Sequence, residues 1–283
     1  MGPTIIQPRI TLRTIVGLFT LLVAALPGQA QQGPAPPHNP DHELLTYFYK
    51  DPRPERLYGF LARFQDTPVA EQPQAFLALS GFFAAVCIAH PDQFPRMVPA
   101  DLKPKTAAAI SAAVRMCGNE RVAVALEPTL DRSAPDEQTR AAISSLPRLG
   151  ELRVTQPTHL DILWSASFAT ANPAYVRPIY DFYVATTAQP GVDVHDIVAM
   201  VMLKFRPNKE ALDAISAKYP RDTLIRIIYA ASALWSLDSN ARQHAFVATA
   251  LSGYEKEAAG SVAVQGLAEV RKTVDAAIGG QRR

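Results

Sequence analysis

The segment AASALWSLDSNARQH, Ala230–His244, places several reactive side-chain types within a few positions. Its last five residues include Asn240, Arg242 and His244, which supply an amide, a guanidinium and an imidazole. Together these groups can bind an anion and transfer a proton near neutral pH. We therefore take these three residues as candidate binding residues. An alternative is an enzyme whose site forms where they meet His159 or Asp161 from a distant part of the chain.

The same segment also has a purely structural interpretation. Trp235 ends an apolar stripe with helical spacing, which makes it a core anchor. Asp238–Asn240 are residue types that favour the N-cap of a helix, and Asn240 with Gln243 has the spacing of a capping box. The pattern thus predicts that one helix ends near Asp238 and the next begins after Asn240. His244 would then lie on the apolar face of the second helix.

Other motifs of catalysis or cofactor binding are missing from the sequence. It contains no GxSxG, HExxH or SxxK motif, no phosphate-binding glycine loop and no GxGxxG. His38 and His42 have the spacing of a helical metal pair, but Pro40 between them argues against a helix. We therefore predict no catalytic residue, no metal site and no cofactor.

The N-terminus has the three parts of a secretory signal peptide. Arg9 and Arg13 precede an apolar run over residues 15–26, and the run is followed by Pro27-Gly28 and Ala30. The run is shorter than the roughly 17–25 apolar residues of a transmembrane helix. The sequence thus predicts cleavage near Ala30, a protein of the periplasm or the extracellular space, and no membrane span in the mature chain.

Removal of the signal peptide changes the charge of the protein. The full chain has 28 Lys and Arg against 26 Asp and Glu, and residues 1–30 hold two Arg and no acid. Residues 31–283 thus carry equal numbers of basic and acidic side chains. Without a basic excess there is no electrostatic reason to expect nucleic acid or an anionic membrane surface as a partner.

Cys87 and Cys117 are the two cysteines of the chain. Each continues an apolar stripe of helical spacing, so both are expected to face the protein interior. An oxidising compartment favours a disulfide between them, and two buried free thiols are the alternative.

Helical periodicity extends through nearly all of the sequence from Glu43 onward, which predicts an all-α protein of about ten helices. Phe76–Ile88 is apolar on nearly all sides, as a central buried helix would be. Thr158 with Asp161, and the pairs Asp51-Pro52 and Asn172-Pro173, are helix-start signals. The predicted organisation is a signal peptide at 1–30, a flexible Pro-rich leader at 31–42, an N-terminal helical half at 43–127, a connector at 128–156, a C-terminal helical half at 157–278 and a flexible tail at 279–283.

A weak internal repeat links the two halves. GFFAAVCIAHPDQFPRMV, from Gly81, aligns with LWSASFATANPAYVRPI, from Leu163. Both have an apolar helix, a polar residue followed by Pro, and a second amphipathic segment. This pattern favours stacked helical hairpins, an irregular α-α array, over a closed bundle.

These segments, with AASALWSLDSNARQH, resemble a group of exported proteins of Gram-negative bacteria that has no assigned activity. The resemblance covers roughly Phe76 to Phe246 and implies a helical, exported protein. The chain departs from the pattern of the group at three positions, where His90 replaces Asn, Ala171 replaces Gly and Pro178 replaces Arg. The resemblance transfers no functional residue.

Three functions from different classes follow from these observations. The first is an exported helical interaction module that binds a protein, a peptide or a component of the cell envelope. The alternatives are an enzyme with a site around His244 and His159, or a structural homo-oligomer built from stacked hairpins.

Overall fold

The computed structural model describes residues 40–280, with side chains for residues 41–276. The predicted signal peptide, most of the predicted leader and residues 281–283 lie outside this part of the chain. Within it there are thirteen α-helices and no β-strand, so the all-α prediction is confirmed. The helices are α1 Pro40–Tyr47, α2 Glu55–Phe64, α3 Pro73–Ala89, α4 Pro104–Cys117, α5 Glu120–Arg132, α6 Glu137–Ser144, α7 Thr158–Thr170, α8 Arg177–Thr187, α9 Val194–Leu203, α10 Lys209–Lys218, α11 Arg221–Gln243, α12 Ala245–Glu257 and α13 Val262–Gly280.

The helix count exceeds the predicted ten because some helices give only a weak periodic signal. Helix α6 has Ile143 as its only buried residue, and α10 has only Ile215. A helix that touches the core through one side chain lacks the repeated apolar spacing that identifies a helix in sequence.

Helices α3 and α7, one from each predicted half of the chain, pack against each other. Helix α3 is buried continuously over residues 79–87, as its apolar composition predicts. The two backbones approach most closely at Gly81, where an added Cβ would lie 2.2 Å from the carbonyl oxygen of Ile162. Only glycine fits this contact, because any side chain would overlap with backbone atoms. The two helices of the sequence repeat are thus direct neighbours, and each is followed by a 3₁₀ turn, at Phe94–Met97 and Pro173–Tyr175.

A disulfide joins Cys87 near the end of α3 to Cys117 at the end of α4. The two Cα atoms are 6.0 Å apart, within the usual range for a disulfide. The structure thus confirms the paired state and not the two free thiols. The bond joins the C-terminal ends of α3 and α4, which run side by side in the same direction, at the point where the chain turns into α5.

Helix α11 occupies the centre of the C-terminal half, where it contacts α8, α9, α12 and α13. One continuous apolar core extends from Leu44 to Val274. It includes Leu149, Leu152 and Val154, which come from the segment proposed as a connector. That segment also contains the last turn of α5 and all of α6.

Apart from the start predicted at Asn240, two of the predicted helix starts differ from the structure, and one is confirmed. Asn172 caps the turn Pro173–Tyr175, and its Oδ1 accepts a hydrogen bond from the Ala174 amide at 3.0 Å. The capping box of Thr158 with Asp161 is wrong, because Pro157 already has helical backbone angles and places Thr158 inside the helix.

The second difference also involves proline. No helix begins at Pro52; the Asp51 carboxylate pairs with Arg53, and α2 begins at Glu55. Pro178 lies in the first turn of α8, where a missing amide hydrogen is tolerated.

No helix within residues 40–280 combines the length and the apolar character that crossing a bilayer would require.

Candidate functional site

His244 lies at the junction between α11 and α12, and its side chain is only 1% exposed. Its Nδ1 is 3.1 Å from the hydroxyl group of Tyr49, which belongs to the 3₁₀ turn Phe48–Lys50 after α1. The imidazole stacks on Phe168 of α7, with ring centroids 4.5 Å apart, and also contacts the rings of Tyr47 and Phe246. The buried side chain of His244 therefore connects α1 and the turn after it to the junction between α11 and α12.

The surroundings of His244 keep its imidazole neutral at physiological pH. Burial, assisted by the positive charge of Lys50, lowers its pKa from 6.5 to about 4. Its Nε2 has no hydrogen-bond partner among the described residues, and the same holds for Nε1 of Trp164, which stacks on Phe168. An unpaired buried polar atom costs roughly 1–3 kcal/mol. The imidazole of His244 is thus a neutral base, and no carboxylate of the described residues orients it.

Arg242 belongs to a network of ion pairs around the buried carboxylate of Asp238. Its Nε lies 2.9 Å from Oδ2 of Asp238, and its Nη1 lies 2.6 Å from Oδ1 of Asp275. Arg271 of α13 approaches Asp238 at 3.7 Å and binds Glu255 of α12 at 2.7 Å. The network therefore joins α11, α12 and α13. The guanidinium of Arg242 stabilises the packing of these helices.

The predicted capping box of Asn240 with Gln243 is wrong, because α11 continues without interruption to Gln243. The Asp238 carboxylate is bound by two arginines and so does not cap a helix. The Gln243 side chain donates to the carbonyl oxygen of Ser239 at 3.2 Å. Asn240 contributes its carbonyl oxygen, which accepts from the His244 amide at 2.8 Å. The predicted helical hairpin is present, but the chain turns at His244.

His159 and Asp161 make contacts of their own at the start of α7. The His159 Nδ1 lies 2.6 Å from the carbonyl oxygen of Arg153, and its Nε2 lies 3.0 Å from the Gln156 amide group. Asp161 lies in the first turn of α7, and burial raises the pKa of its carboxyl group to about 7. His159 thus bonds to the loop just before its own helix, whereas the ring of His244 bonds to Tyr49.

A groove of about 330 Å³ lies on the surface between α9, α10 and α13. One face of α9 and the turn after it form the floor, with residues spaced as i, i+3, i+4, i+7, i+8 and i+11. These residues are His195, Val198, Ala199, Met202, Leu203 and Arg206. Ala211 of α10 and Glu269 and Thr273 of α13 form the walls.

Charged groups lie at both ends of this groove. At one end the His195 Nδ1 is 3.0 Å from Oε2 of Glu269, and both side chains are well exposed. At the other end the Arg206 side chain is exposed, and no carboxylate within residues 41–276 forms an ion pair with it. The groove therefore combines an apolar floor with an acidic group and a basic group at opposite ends.

The sequence signal for this groove is the apolar composition of α9 on two opposite faces. Val194, Ile197 and Val201 form the buried face of α9. Ala199, Met202 and Leu203 make the opposite face apolar as well, although they are only partly buried. A helix that is apolar all round is normally buried on all sides. Here one apolar face remains open to solvent.

A second depression, of about 660 Å³, lies beside the disulfide between the turn at Pro91 and the start of α5. Its lining includes Asp92, Asn119, Glu120 and Arg121, and Asn119 already caps α5 by accepting from the Arg121 amide. Its lining is therefore more polar than that of the α9 groove.

Within the described part of the chain, no three His, Cys, Asp or Glu side chains converge as a metal site would require. Comparison of the chain with protein-family models, with curated proteins and with solved structures finds no significant match.

Proposed function

We propose that this protein is an exported helical interaction module that binds an apolar segment of a peptide or a partner protein in the α9 groove. The observation that carries the proposal is the open apolar face of α9, formed by Ala199, Met202 and Leu203 between two walls. Concave sites with an apolar lining and a few polar groups are typical of ligand binding.

The geometry of the groove suits insertion of a partner side chain. The floor side chains are short or flexible, and methionine adapts to partners of different shape. The charged groups are at the ends and leave the centre apolar, as in interfaces with an apolar core and a polar rim. Burial of an apolar partner side chain on the floor would provide affinity, and the charged groups at the ends of the groove would provide specificity.

Selection from a chemically encoded library, whose peptides are displayed through a lysine side chain with both ends free, tests the proposal. We expect the mature protein to enrich peptides with apolar residues, and we expect these peptides to lose binding to Met202→Lys. Val124→Lys is the matched control, because Val124 is an exposed apolar residue of α5 outside the groove. Enriched peptides that bind both variants equally well would place any binding elsewhere, and no enrichment at all would argue against a peptide-binding module.

Export is the second part of the proposal, and it rests on the signal-peptide pattern of residues 1–30. Expression of the full chain in a Gram-negative host, followed by intact-mass analysis of the periplasmic fraction, tests it. We expect a protein that begins at Gln31. An unprocessed chain in the cytoplasm would contradict export and would leave the binding test unaffected.

A further inference from the structure

We infer that the α9 groove recognises both free ends of a short apolar peptide, with Arg206 binding its carboxylate and Glu269 binding its ammonium group. The inference rests on the proposed function, because it names the ligand of the same groove. Its basis is the position of one acidic and one basic side chain at the two ends of an apolar floor.

The length of the groove determines the length of the peptide. His195 begins the floor and Arg206 ends it, and the helical turn continues past Leu203 because the Phe205 and Arg206 amides both donate to the Met202 carbonyl oxygen at 3.0 Å. At about 1.5 Å per residue along a helix, these ends are about 16 Å apart. An extended peptide rises about 3.3 Å per residue, so about four or five residues span the groove.

Arg206 is suited to bind a terminal carboxylate. Arg206 is one of the lining residues of the groove, and none of the described acidic side chains pairs with it. A guanidinium binds a carboxylate through two parallel hydrogen bonds, a geometry that a C-terminal amide cannot reproduce. Arg177 and Arg242, by contrast, each bind two carboxylates of the protein itself.

Glu269 is suited to bind a terminal ammonium group. Oε2 of its carboxylate contacts the imidazole of His195, and its side chain remains 43% exposed at the wall of the groove. The other carboxylate oxygen can accept a hydrogen bond from a peptide ammonium without displacing His195. An acetylated N-terminus carries no charge and would lose most of this interaction.

The two charges also fix the direction of the bound chain. With its carboxylate at Arg206 and its ammonium at Glu269, the peptide lies along α9 and places its central side chains over Ala199, Met202 and Leu203. The reverse orientation brings like charges together at both ends and is therefore disfavoured.

Calorimetric titration with four forms of one tetrapeptide, Gly-Leu-Ala-Leu, tests the inference. The forms have free ends, an amidated C-terminus, an acetylated N-terminus, or both modifications. We expect amidation to weaken binding about tenfold or more in the wild type and to have little effect in Arg206→Gln. Acetylation of the N-terminus should likewise weaken binding about tenfold or more in the wild type and should have little effect in Glu269→Gln. Arg96→Gln and Glu137→Gln are matched control variants, since both residues are exposed and lie outside the groove.

The ¹³C-methyl signal of Met202 reports where the peptide binds. Equal binding of all four forms with a shift of the Met202 signal would overturn the recognition of the ends and leave the proposed function standing. If no tetrapeptide shifts the Met202 signal while longer displayed peptides do, the inference again fails alone. If neither shifts it, the inference and the peptide-binding function both fail.

Discussion

The hydroxyl group of Tyr49 lies 3.1 Å from Nδ1 of His244, although 195 residues separate the two along the chain. This contact attaches the turn Phe48–Lys50 to the junction between α11 and α12. This contact depends on a neutral imidazole, because burial and the nearby positive charge of Lys50 both disfavour the protonated form of His244.

His244 makes the folded state sensitive to acid. Its pKa is about 4 in the folded protein and 6.5 in the unfolded chain, so between these values the unfolded chain binds a proton that the folded protein does not. The contribution of His244 is therefore constant above pH 6.5 and falls as the pH drops to 4, by about 3 kcal/mol in total. Denaturant unfolding of the wild type and His244→Phe from pH 4 to 8 measures this.

The difference in unfolding free energy between wild type and His244→Phe isolates this residue from carboxylates that also titrate in acid. That difference should change by a few kcal/mol between pH 6.5 and 4. His195→Gln is the control, because His195 is 71% exposed. A difference that stays constant with pH would contradict the buried, neutral state of His244.

Asp161→Asn is expected to stabilise the protein at high pH. Burial raises the carboxyl pKa to about 7, so the folded state disfavours the charged form. The penalty is absent below the ordinary pKa and grows as the pH rises to 7. Asn carries no charge and should raise the unfolding free energy by about 1–2 kcal/mol at pH 8 and by little at pH 4.

Thermal unfolding at these two pH values measures the effect of Asp161→Asn. Asp222→Asn is a matched control, since Asp222 is an exposed aspartate in the first turn of α11. An equal change at both pH values in Asp161→Asn would show that its charge carries no penalty.

Ala171→Gly is expected to stabilise the protein by about 1 kcal/mol. Ala171 ends α7 with φ at 53°, and it is the only described residue other than glycine with a positive φ. A left-handed conformation is unfavourable for any residue with a Cβ atom. Ala166→Gly, inside the same helix, should destabilise the protein by a similar amount. A melting temperature that falls in both variants would contradict the prediction.

Asp238→Asn is expected to destabilise the protein by about 2–4 kcal/mol, because it removes the buried charge that Arg242 and Arg271 share. Asp275→Asn removes the other partner of Arg242, but this carboxylate is 64% exposed and its loss should cost less than about 1 kcal/mol. Chemical denaturation of both variants gives the comparison. Equal losses would mean that Asp238 does not organise the network.

The sequence was sufficient for the helical class and for the anchoring role of Trp235, which is 4% exposed and packs against Phe205. Both follow from local periodicity and require little knowledge of which helices are neighbours. The sequence left the pairing of the two cysteines open, and the structure shows the disulfide.

The end of α11 could not be predicted from local signals. Asp238 and Asn240 favour a helix start, but Arg271 on α13 helps to hold the Asp238 carboxylate within a continuous helix. The hydrogen-bond partner of His244 could not be predicted either, because Tyr49 is 195 residues away in the sequence. The α9 groove depends on where α10 lies, and the weak periodicity of α10 contains no information about that.

The attachment of α10 has a consequence for the width of the groove. This helix contributes Ile215 to the core, and its end is held by Lys218 and Tyr219, which both bind Asp196. A segment with so few internal contacts opens at a lower free energy than the helices around it. The wall that carries Ala211 can therefore move while the floor on α9 stays fixed, so one rigid surface can accept side chains of different sizes.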